Sequence, residues 1–387
     1  MYCGKWLSTI YRTLNRPIRE RAADPDSKRR PVSADRGFGP AAQGLSPNSG
    51  PCDTICRMVS VFPYFDVPRF FLGARGKMIR RGNAGLGWLC LFAMGWLLLA
   101  GGCARQPSTG VTSLRPANLG ELQSYLLDNK ADLELFRLRG PFAVAVHLDR
   151  EILLPDSERI DADLFLSAAD KAPLVIMLHG LDNSKSDHAY QAMHLATWGM
   201  HCLTLQLPNQ GPWIANGKTL ARIVDFIRKR PEAIDGRIDV GRIILAGHSF
   251  GGAATAIALS EGAPAAGGIL LDPAGVGKTL PAYLRRIDKP VMVLAADPKV
   301  SVTLDRGAFY RFVRRGIVEV SIRDAAHEDA QYPLELDSSS NEAMQITFVS
   351  ALTAAAFSLG ATGKLDYAWA SFRSAIGDGK LVNAKKK

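Results

Sequence analysis

Cysteine is scarce in this chain, which has six cysteines among 387 residues, and only Cys103 and Cys202 lie beyond residue 102. Two cysteines cannot build the framework of several disulfides that staples small secreted domains. The roughly 285 residues beyond residue 102 are enough to bury an adequate core without one. Cys52 and Cys56 lack the second pair that a zinc site would need. We therefore expect neither disulfides nor a metal ion, and we expect Cys202, in an apolar run, to be a core residue.

An excess of charge is also missing from most of the chain. The net charge is +10, but residues 1–102 hold 15 basic and 6 acidic side chains, which leaves 32 basic and 31 acidic side chains beyond them. A nucleic-acid-binding surface needs clustered positive charge, so we expect no nucleic-acid partner. The basic run Lys385–Lys387 is predicted to be a solvated tail.

The N-terminal part of the chain has the pattern of an export signal. A basic segment that begins at Met78 is followed by the apolar run Leu86–Ala100 and then by Gly101, Gly102 and Cys103. A basic region, an apolar region of this length and small residues at the end are typical of a secretory signal peptide. The pattern resembles a bacterial lipoprotein signal, with Cys103 as the lipidated residue. It departs from the usual pattern in having Ala100 where leucine is expected.

These observations divide the chain into four predicted parts. Residues 1–77 show no sustained hydrophobic periodicity and are predicted to be a non-native extension or disordered. Because a signal peptide belongs at the N-terminus, translation is expected to start at Met78. Residues 78–102 are the signal peptide, 103–140 a tether with a lead-in helix over 119–138, and 141–387 the folded domain. We expect a membrane-anchored lipoprotein of the cell envelope that faces the periplasm or the exterior. An uncleaved anchor over residues 82–102 and a cleaved, exported protein are the alternatives.

From residue 141 onward, apolar strand patterns alternate with helical patterns. This alternation predicts an α/β fold: one mostly parallel sheet of about eight strands with helices on both faces, and no second domain. The two half-exposed strands over residues 142–148 and 160–167 are expected to be antiparallel at one edge of the sheet. The apolar run over 344–359 is predicted to be a terminal helix. Only about 18 residues separate Asp272 from the next strand, which argues against a large cap domain.

The stretch Arg242–Ser260 has the most specific motif of the chain. An apolar strand pattern leads into Gly247-His248-Ser249-Phe250-Gly251, and an aliphatic helix pattern follows. Gly-x-Ser-x-Gly between a strand and a helix is the nucleophile-elbow pattern, in which the serine stands exposed on a sharp turn. Glycine two residues before and two residues after the serine avoids collisions with the adjoining strand and helix. Ser249 is therefore the candidate nucleophile.

A general base for this serine is found by chain order. Of the seven histidines, only His327 lies C-terminal to Ser249. It follows the last apolar strand of the pattern, and the order serine, acid, histidine is the one expected for this architecture. His327 is the candidate base, and His248 is expected to pack beside the elbow.

Two aspartates could orient His327. Asp297 follows the strand over residues 291–295 and is preferred, and Asp272, at the end of the preceding strand, is the alternative. The oxyanion hole needs two backbone donors, for which we expect the N–H of Phe250, next to the nucleophile, and the N–H of Leu181, after His179-Gly180.

Together, His179-Gly180, the elbow over 247–252, Asp297 and His327 resemble the α/β-hydrolase superfamily over about residues 141–360. The resemblance also includes the glycine-containing turn at Asn209–Gly211. It implies metal-free and cofactor-free acyl-enzyme chemistry on a central eight-stranded sheet. The fold alone implies no particular substrate.

The expected activity is serine-dependent hydrolysis of a small-molecule or lipid carboxylic ester, with Trp213 as an apolar wall of an acyl pocket. An acyltransferase or thioesterase could use the same three residues, and a non-catalytic envelope protein could keep the fold for binding. Transfer to an added alcohol would identify the first alternative, and loss of the triad would favour the second.

Overall fold

The computed structural model describes residues 118–129, 131–156, 158–207, 211, 213–334 and 341–387. The predicted extension, the signal peptide, Cys103 and the tether up to residue 117 lie outside the described residues, as does most of the turn at Asn209–Gly211.

Nine strands form one sheet in the described part of the chain. They are β1 (Val144–Leu153), β2 (Arg159–Ser167), β3 (Ala172–Leu178), β4 (His201–Gln206), β5 (Ile238–His248), β6 (Gly267–Leu271), β7 (Val291–Ala295), β8 (Ile317–Ile322) and β9 (Leu381–Lys386). Their order across the sheet is β1-β2-β4-β3-β5-β6-β7-β8-β9. Strands β3 to β8 pair in parallel, whereas β1, β2 and β9 pair antiparallel at the two ends of the sheet. The predicted fold class and the antiparallel edge are confirmed.

The helices of the described residues lie between or after these strands. They are α1 (Leu119–Asn129), α2 (Ala189–Thr197), α3 (Trp213–Lys229), α4 (Phe250–Ser260), α5 (Leu280–Leu284), α6 (Gly307–Phe312), α7 (Glu342–Thr362), α8 (Asp366–Ser371) and α9 (Arg373–Gly377). Short 3-10 turns cover Leu135–Arg137, Lys185–His188, Pro231–Ala233 and Glu328–Ala330. The predicted lead-in helix is thus shorter than expected, since α1 ends at Asn129. Between β6 and β7, where all residues are described, only α5 is inserted, so this connection holds no large cap.

Two hydrophobic clusters cover the two faces of the sheet. Along β5, Ile243 and Leu245 belong to the cluster shared with α3, α4, α5 and α6. Ile244 and Ala246 belong to the opposite cluster, shared with α1, α2, α7 and α8. Successive side chains of a strand point to opposite faces, so a continuous apolar run is what a sheet covered on both sides requires. Cys202, in β4, is fully buried, and this burial raises the pKa of its thiol.

Among the described helices, α7 has the length and apolarity that could cross a membrane, but 78% of its apolar window is buried in the structure. It packs against α2, α8 and several central strands. Its sequence is apolar because it is a core helix.

The C-terminal residues differ from the sequence expectation. The lysines at 385 and 386 are not in a solvated tail but in β9, which pairs with β8. Lys385 Nζ lies 3.0 Å from a carboxylate oxygen of Glu319, and Lys386 Nζ lies 2.7 Å from one of Asp366. Without β9, the edge of β8 would leave backbone hydrogen-bonding groups unpaired. The sequence did not predict this strand, because a run of three lysines shows no alternation of apolar and polar residues.

Candidate active site

Ser249 occupies a strained turn between β5 and α4. Its φ of 54° and ψ of −123° lie outside the regions that side chains with a Cβ ordinarily adopt. Such strain persists only where the surrounding structure enforces it, and it is concentrated at functional sites. The strand–turn–helix context that the sequence predicted for Ser249 is present.

The glycines of the elbow are required by contacts with backbone atoms. A Cβ on Gly247 would lie 2.4 Å from the carbonyl oxygen of Gly251, and a Cβ on Gly251 would lie 2.2 Å from that of His179. Both distances are far shorter than real Cβ contacts. Glycine at these two positions therefore lets the turn close and lets the loop at His179 approach it.

Backbone hydrogen bonds tie Ser249 to the turn after β6. The Ser249 N–H donates to the carbonyl of Leu271 at 3.0 Å, and the Ser249 carbonyl accepts from the N–H of Ala274 at 3.0 Å. Asp272 lies between these two residues, with a φ of 37°. Because β5 and β6 are neighbours in the sheet, the serine and this aspartate end adjacent strands.

His327 contacts Asp272 from the loop after β8. It follows β8, and its Nδ1 lies 2.5 Å from Oδ2 of Asp272, whose side chain is fully buried. The ring of His327 lies 4.5 Å from that of His248, centroid to centroid. His248 Nε2–H donates to the backbone carbonyl of His327 at 3.1 Å, so the residue before Ser249 anchors the histidine loop, beyond the packing role expected for it.

Asp297, the acid that the sequence favoured, does not hold His327. Its carboxylate accepts the backbone N–H groups of Lys299 and Asp324, at 2.9 and 3.0 Å. These bonds, with the one from Asp324 first, lower the pKa of Asp297. It therefore links the loops after β7 and β8. Asp272, the alternative, is the carboxylate that meets His327.

The carboxylate of Asp272 is kept ionised by its neighbours. Burial raises its pKa, but the hydrogen bond and charge of His327, the hydroxyl of Thr303 and the charge of Arg306 together outweigh burial and lower the pKa to about 2. A carboxylate only accepts hydrogen bonds, so the short contact places a proton on Nδ1 of His327. The lone pair of Nε2 is then available.

A second histidine orients the loop after β3. Gln206 Nε2 donates to Nε2 of His179 at 2.9 Å, so the proton of this ring is on Nδ1, which donates to the carbonyl of Gly180 at 2.7 Å. Burial lowers the pKa of His179 and keeps it neutral. In a trans peptide the N–H points opposite to the carbonyl, so the N–H of Leu181 is directed away from the His179 ring. A Cβ on Gly180 would lie 2.9 Å from Cβ of Ser249, which puts this loop against the serine.

Aromatic side chains pack next to the elbow. The ring of Trp213 stacks on that of Phe250, with centroids 5.7 Å apart and planes 15° apart, and meets His179 edge-on at 6.4 Å. Leu181 is partly buried against the same cluster. Trp213 and Phe250 are both buried, and the role of Trp213 as a wall of an acyl pocket stays a prediction.

The sequence analysis did not identify three residues that hold side chains of the site: Gln206, which contacts His179, and Thr303 and Arg306, which contact Asp272. Thr303 Oγ1 donates to Oδ2 of Asp272, and Arg306 Nη1 donates to its Oδ1 at 2.7 Å. Both lie in the loop between β7 and α6, and neither belongs to a motif. No spacing rule could have found them, because only the fold brings this loop over the end of β6.

Comparison with known protein families identifies the architecture. The profile of the alpha/beta hydrolase family matches residues 175–378, from β3 to the residue after α9. The chain belongs to the alpha/beta hydrolase family. Members of this family are usually hydrolytic enzymes. No curated protein matches this hydrolase at a significant level.

Among its described residues, no three His, Cys, Asp or Glu side chains cluster as metal ligands.

Proposed function

We propose that this hydrolase cleaves carboxylic esters through an acyl-enzyme on Ser249. The observation that carries the proposal is the 2.5 Å contact between His327 and the buried Asp272, beside a serine on a strained elbow. A nucleophile, a base and an orienting acid in this arrangement are the requirements of serine hydrolysis.

In the proposed mechanism, Nε2 of His327 takes the proton of Ser249 Oγ as this oxygen attacks the acyl carbonyl. Asp272 holds the ring in the tautomer with a proton on Nδ1 and stabilises the imidazolium without taking the proton. The imidazolium then protonates the leaving alcohol, and the C–O bond of the ester breaks. Water, deprotonated by His327, attacks the acyl-enzyme, and the acid departs with Ser249 reprotonated.

The oxyanion of each tetrahedral intermediate is proposed to bind the N–H groups of Leu181 and Phe250. Phe250 is the first residue of α4, so its N–H has no acceptor within the helix. The N–H of Leu181 belongs to the peptide that His179 orients. Each such donor typically contributes about 10²–10³ in rate, because it is in place before charge develops.

The stacked rings of Trp213 and Phe250, with Leu181 packed against the same cluster, support an acyl group as the part of the substrate bound beside Ser249. Ester is favoured over amide by analogy with the more frequent activity on this fold. The insertion between β6 and β7 is small and adds no large cap there.

Modification of the full chain with a fluorophosphonate tests the proposal. The probe reacts with activated serines, so we expect one adduct, which mass spectrometry of the digested protein assigns to Ser249. Heat-denatured protein is the control and should stay unlabelled. A folded chain without an adduct, or with one elsewhere, would contradict the mechanism and favour a binding protein. A series of esters of increasing acyl length, with and without an added alcohol, then separates hydrolysis from acyl transfer.

Export and membrane tethering through Cys103 form a separate proposal, supported by the basic and apolar segments over residues 78–102. Labelled palmitate should be incorporated into the chain in bacterial cells, and Cys103→Ser should abolish this incorporation. Cys202→Ser is the matched control, since Cys202 is buried in the core. Equal labelling of the parent and the Cys103→Ser variant would reject lipidation at this residue.

A further inference from the structure

Asp272 has a richer set of partners than an acid that only orients a histidine needs. Its Oδ2 meets Nδ1 of His327 and the hydroxyl of Thr303. Its Oδ1 accepts the backbone N–H of Ala296 at 2.9 Å and Nη1 of Arg306 at 2.7 Å. Each oxygen therefore has two partners, and one of the four is a permanent cation.

The guanidinium of Arg306 is itself fixed by burial and by a second hydrogen bond. The side chain of Arg306 is only 12% exposed, and its Nη1 also donates to the carbonyl of Ala296 at 2.9 Å. Ala296 thus meets Arg306 through its carbonyl and Asp272 through its N–H. This closed arrangement fixes the carboxylate by Oδ1 and leaves Oδ2 directed at His327.

The charge of Arg306 has a consequence for the base. A buried carboxylate alone attracts a proton to the neighbouring imidazole, whereas a carboxylate already paired with a guanidinium attracts it less. The positive charge of Arg306 also opposes that of the imidazolium directly, and buried charges are weakly screened. Loss of the Arg306 charge should therefore move the acidic limb of the activity profile to higher pH.

Resting on the function proposed above, we propose that Arg306 is a positioning residue of this hydrolase: it holds Asp272 towards His327 and extends activity to lower pH.

Other titratable groups face this pair. His248 lies against His327, and burial lowers the pKa of His248 well below its ordinary value. Burial also lowers the pKa of His188, which lies against His248, to about 4, so neither ring is charged at neutral pH. On the loop of His327 itself are Glu328 and Asp329, and Asp329 accepts the N–H of Ala326. Among the described groups that contact Asp272 or His327, the permanent positive charge is that of Arg306.

The test is the pH dependence of kcat/KM for an activated ester, measured between pH 4 and 9 with the full chain. For Arg306→Gln we expect the midpoint of the acidic limb to rise by about one pH unit, the lower end of the effect of a close charge. Arg306→Lys keeps the charge, and its limb should remain within a few tenths of a unit of the parent. A lower plateau without a shifted limb in Arg306→Gln would show a purely structural role and overturn the proposal.

Failure of this inference is distinguishable from failure of the proposed function. A parent that neither hydrolyses the ester nor takes the fluorophosphonate at Ser249 refutes the function itself. If Arg306→Gln does not fold, the double variant Arg306→Gln, Asp272→Asn removes both charges together. Removing one partner of a buried pair is costly, and removing both can be nearly neutral. Recovery of cooperative unfolding in the double variant supports the pairing, and its failure to fold overturns it.

Discussion

Replacing Ser249 with alanine will lower kcat for ester hydrolysis by about 10⁶-fold, the size of loss found when a serine nucleophile is removed. Alanine has no oxygen to form the acyl-enzyme, so His327 and Asp272 lose the step that they serve. The activity that survives should come from the oxyanion donors and from substrate binding. Initial rates with a chromogenic ester, at enzyme concentrations high enough to see slow turnover, measure the loss.

Ser260→Ala is the matched control for this variant. Ser260 ends the same helix, α4, and its hydroxyl donates to the carbonyl of Ile257 at 2.8 Å. Its loss should leave kcat within a few-fold of the parent. If the Ser249→Ala variant kept more than about a hundredth of the parental kcat, the acyl-enzyme mechanism would be ruled out.

Asp272→Asn will lower kcat by about 10⁴-fold, whereas Asp297→Asn will keep it within about tenfold of the parent. An asparagine amide at position 272 can donate to Nδ1 of His327, which moves the ring proton to Nε2 and removes the lone pair that the serine needs. At position 297 the carboxylate meets only backbone N–H groups of Lys299 and Asp324. Its replacement should cost about 1 kcal/mol of folding free energy for a weakened hydrogen bond.

The two aspartate variants control for each other, because each removes one buried carboxylate charge near the end of a central strand. Thermal unfolding of both shows whether a loss of rate reflects a loss of fold. A large fall in kcat for Asp297→Asn, with Asp272→Asn nearly unaffected, would reverse the assignment of the acid.

The elbow could be predicted because its determinants are local. The apolar run, the glycines and the aliphatic helix pattern around Ser249 are adjacent in the chain. The collision that requires Gly247 arises within the turn, whereas the one that requires Gly251 comes from the carbonyl of His179. His327 could be predicted by elimination, since chain order left one histidine after the serine. Neither prediction required knowledge of which strands are neighbours.

The carboxylate partner of His327 could not be predicted in the same way. Asp272 and Asp297 both follow apolar strands, and spacing cannot tell which carboxylate turns towards His327. In the structure Asp272 meets His327. Asp272 has a φ of 37° and lies between Leu271 and Ala274, the two residues whose backbone bonds to Ser249. The carboxylate of Asp297 instead accepts the backbone N–H of Lys299, in the same loop, and that of Asp324, in the loop after β8. The contacts of Thr303 and Arg306 with Asp272 could not be predicted either, because they also join residues that are distant in the chain.

The sequence by itself determined the alternation of strands and helices, the strained position of Ser249 and the identity of the candidate base. These properties follow from hydrophobic periodicity and from steric limits that act over a few neighbouring residues. Only the tertiary structure decided that Asp272 meets His327, that Arg306 balances Asp272 and that the lysine-rich terminus forms β9. Each of these depends on contacts between residues 24 or more positions apart, which appear only when the sheet brings the ends of its strands together.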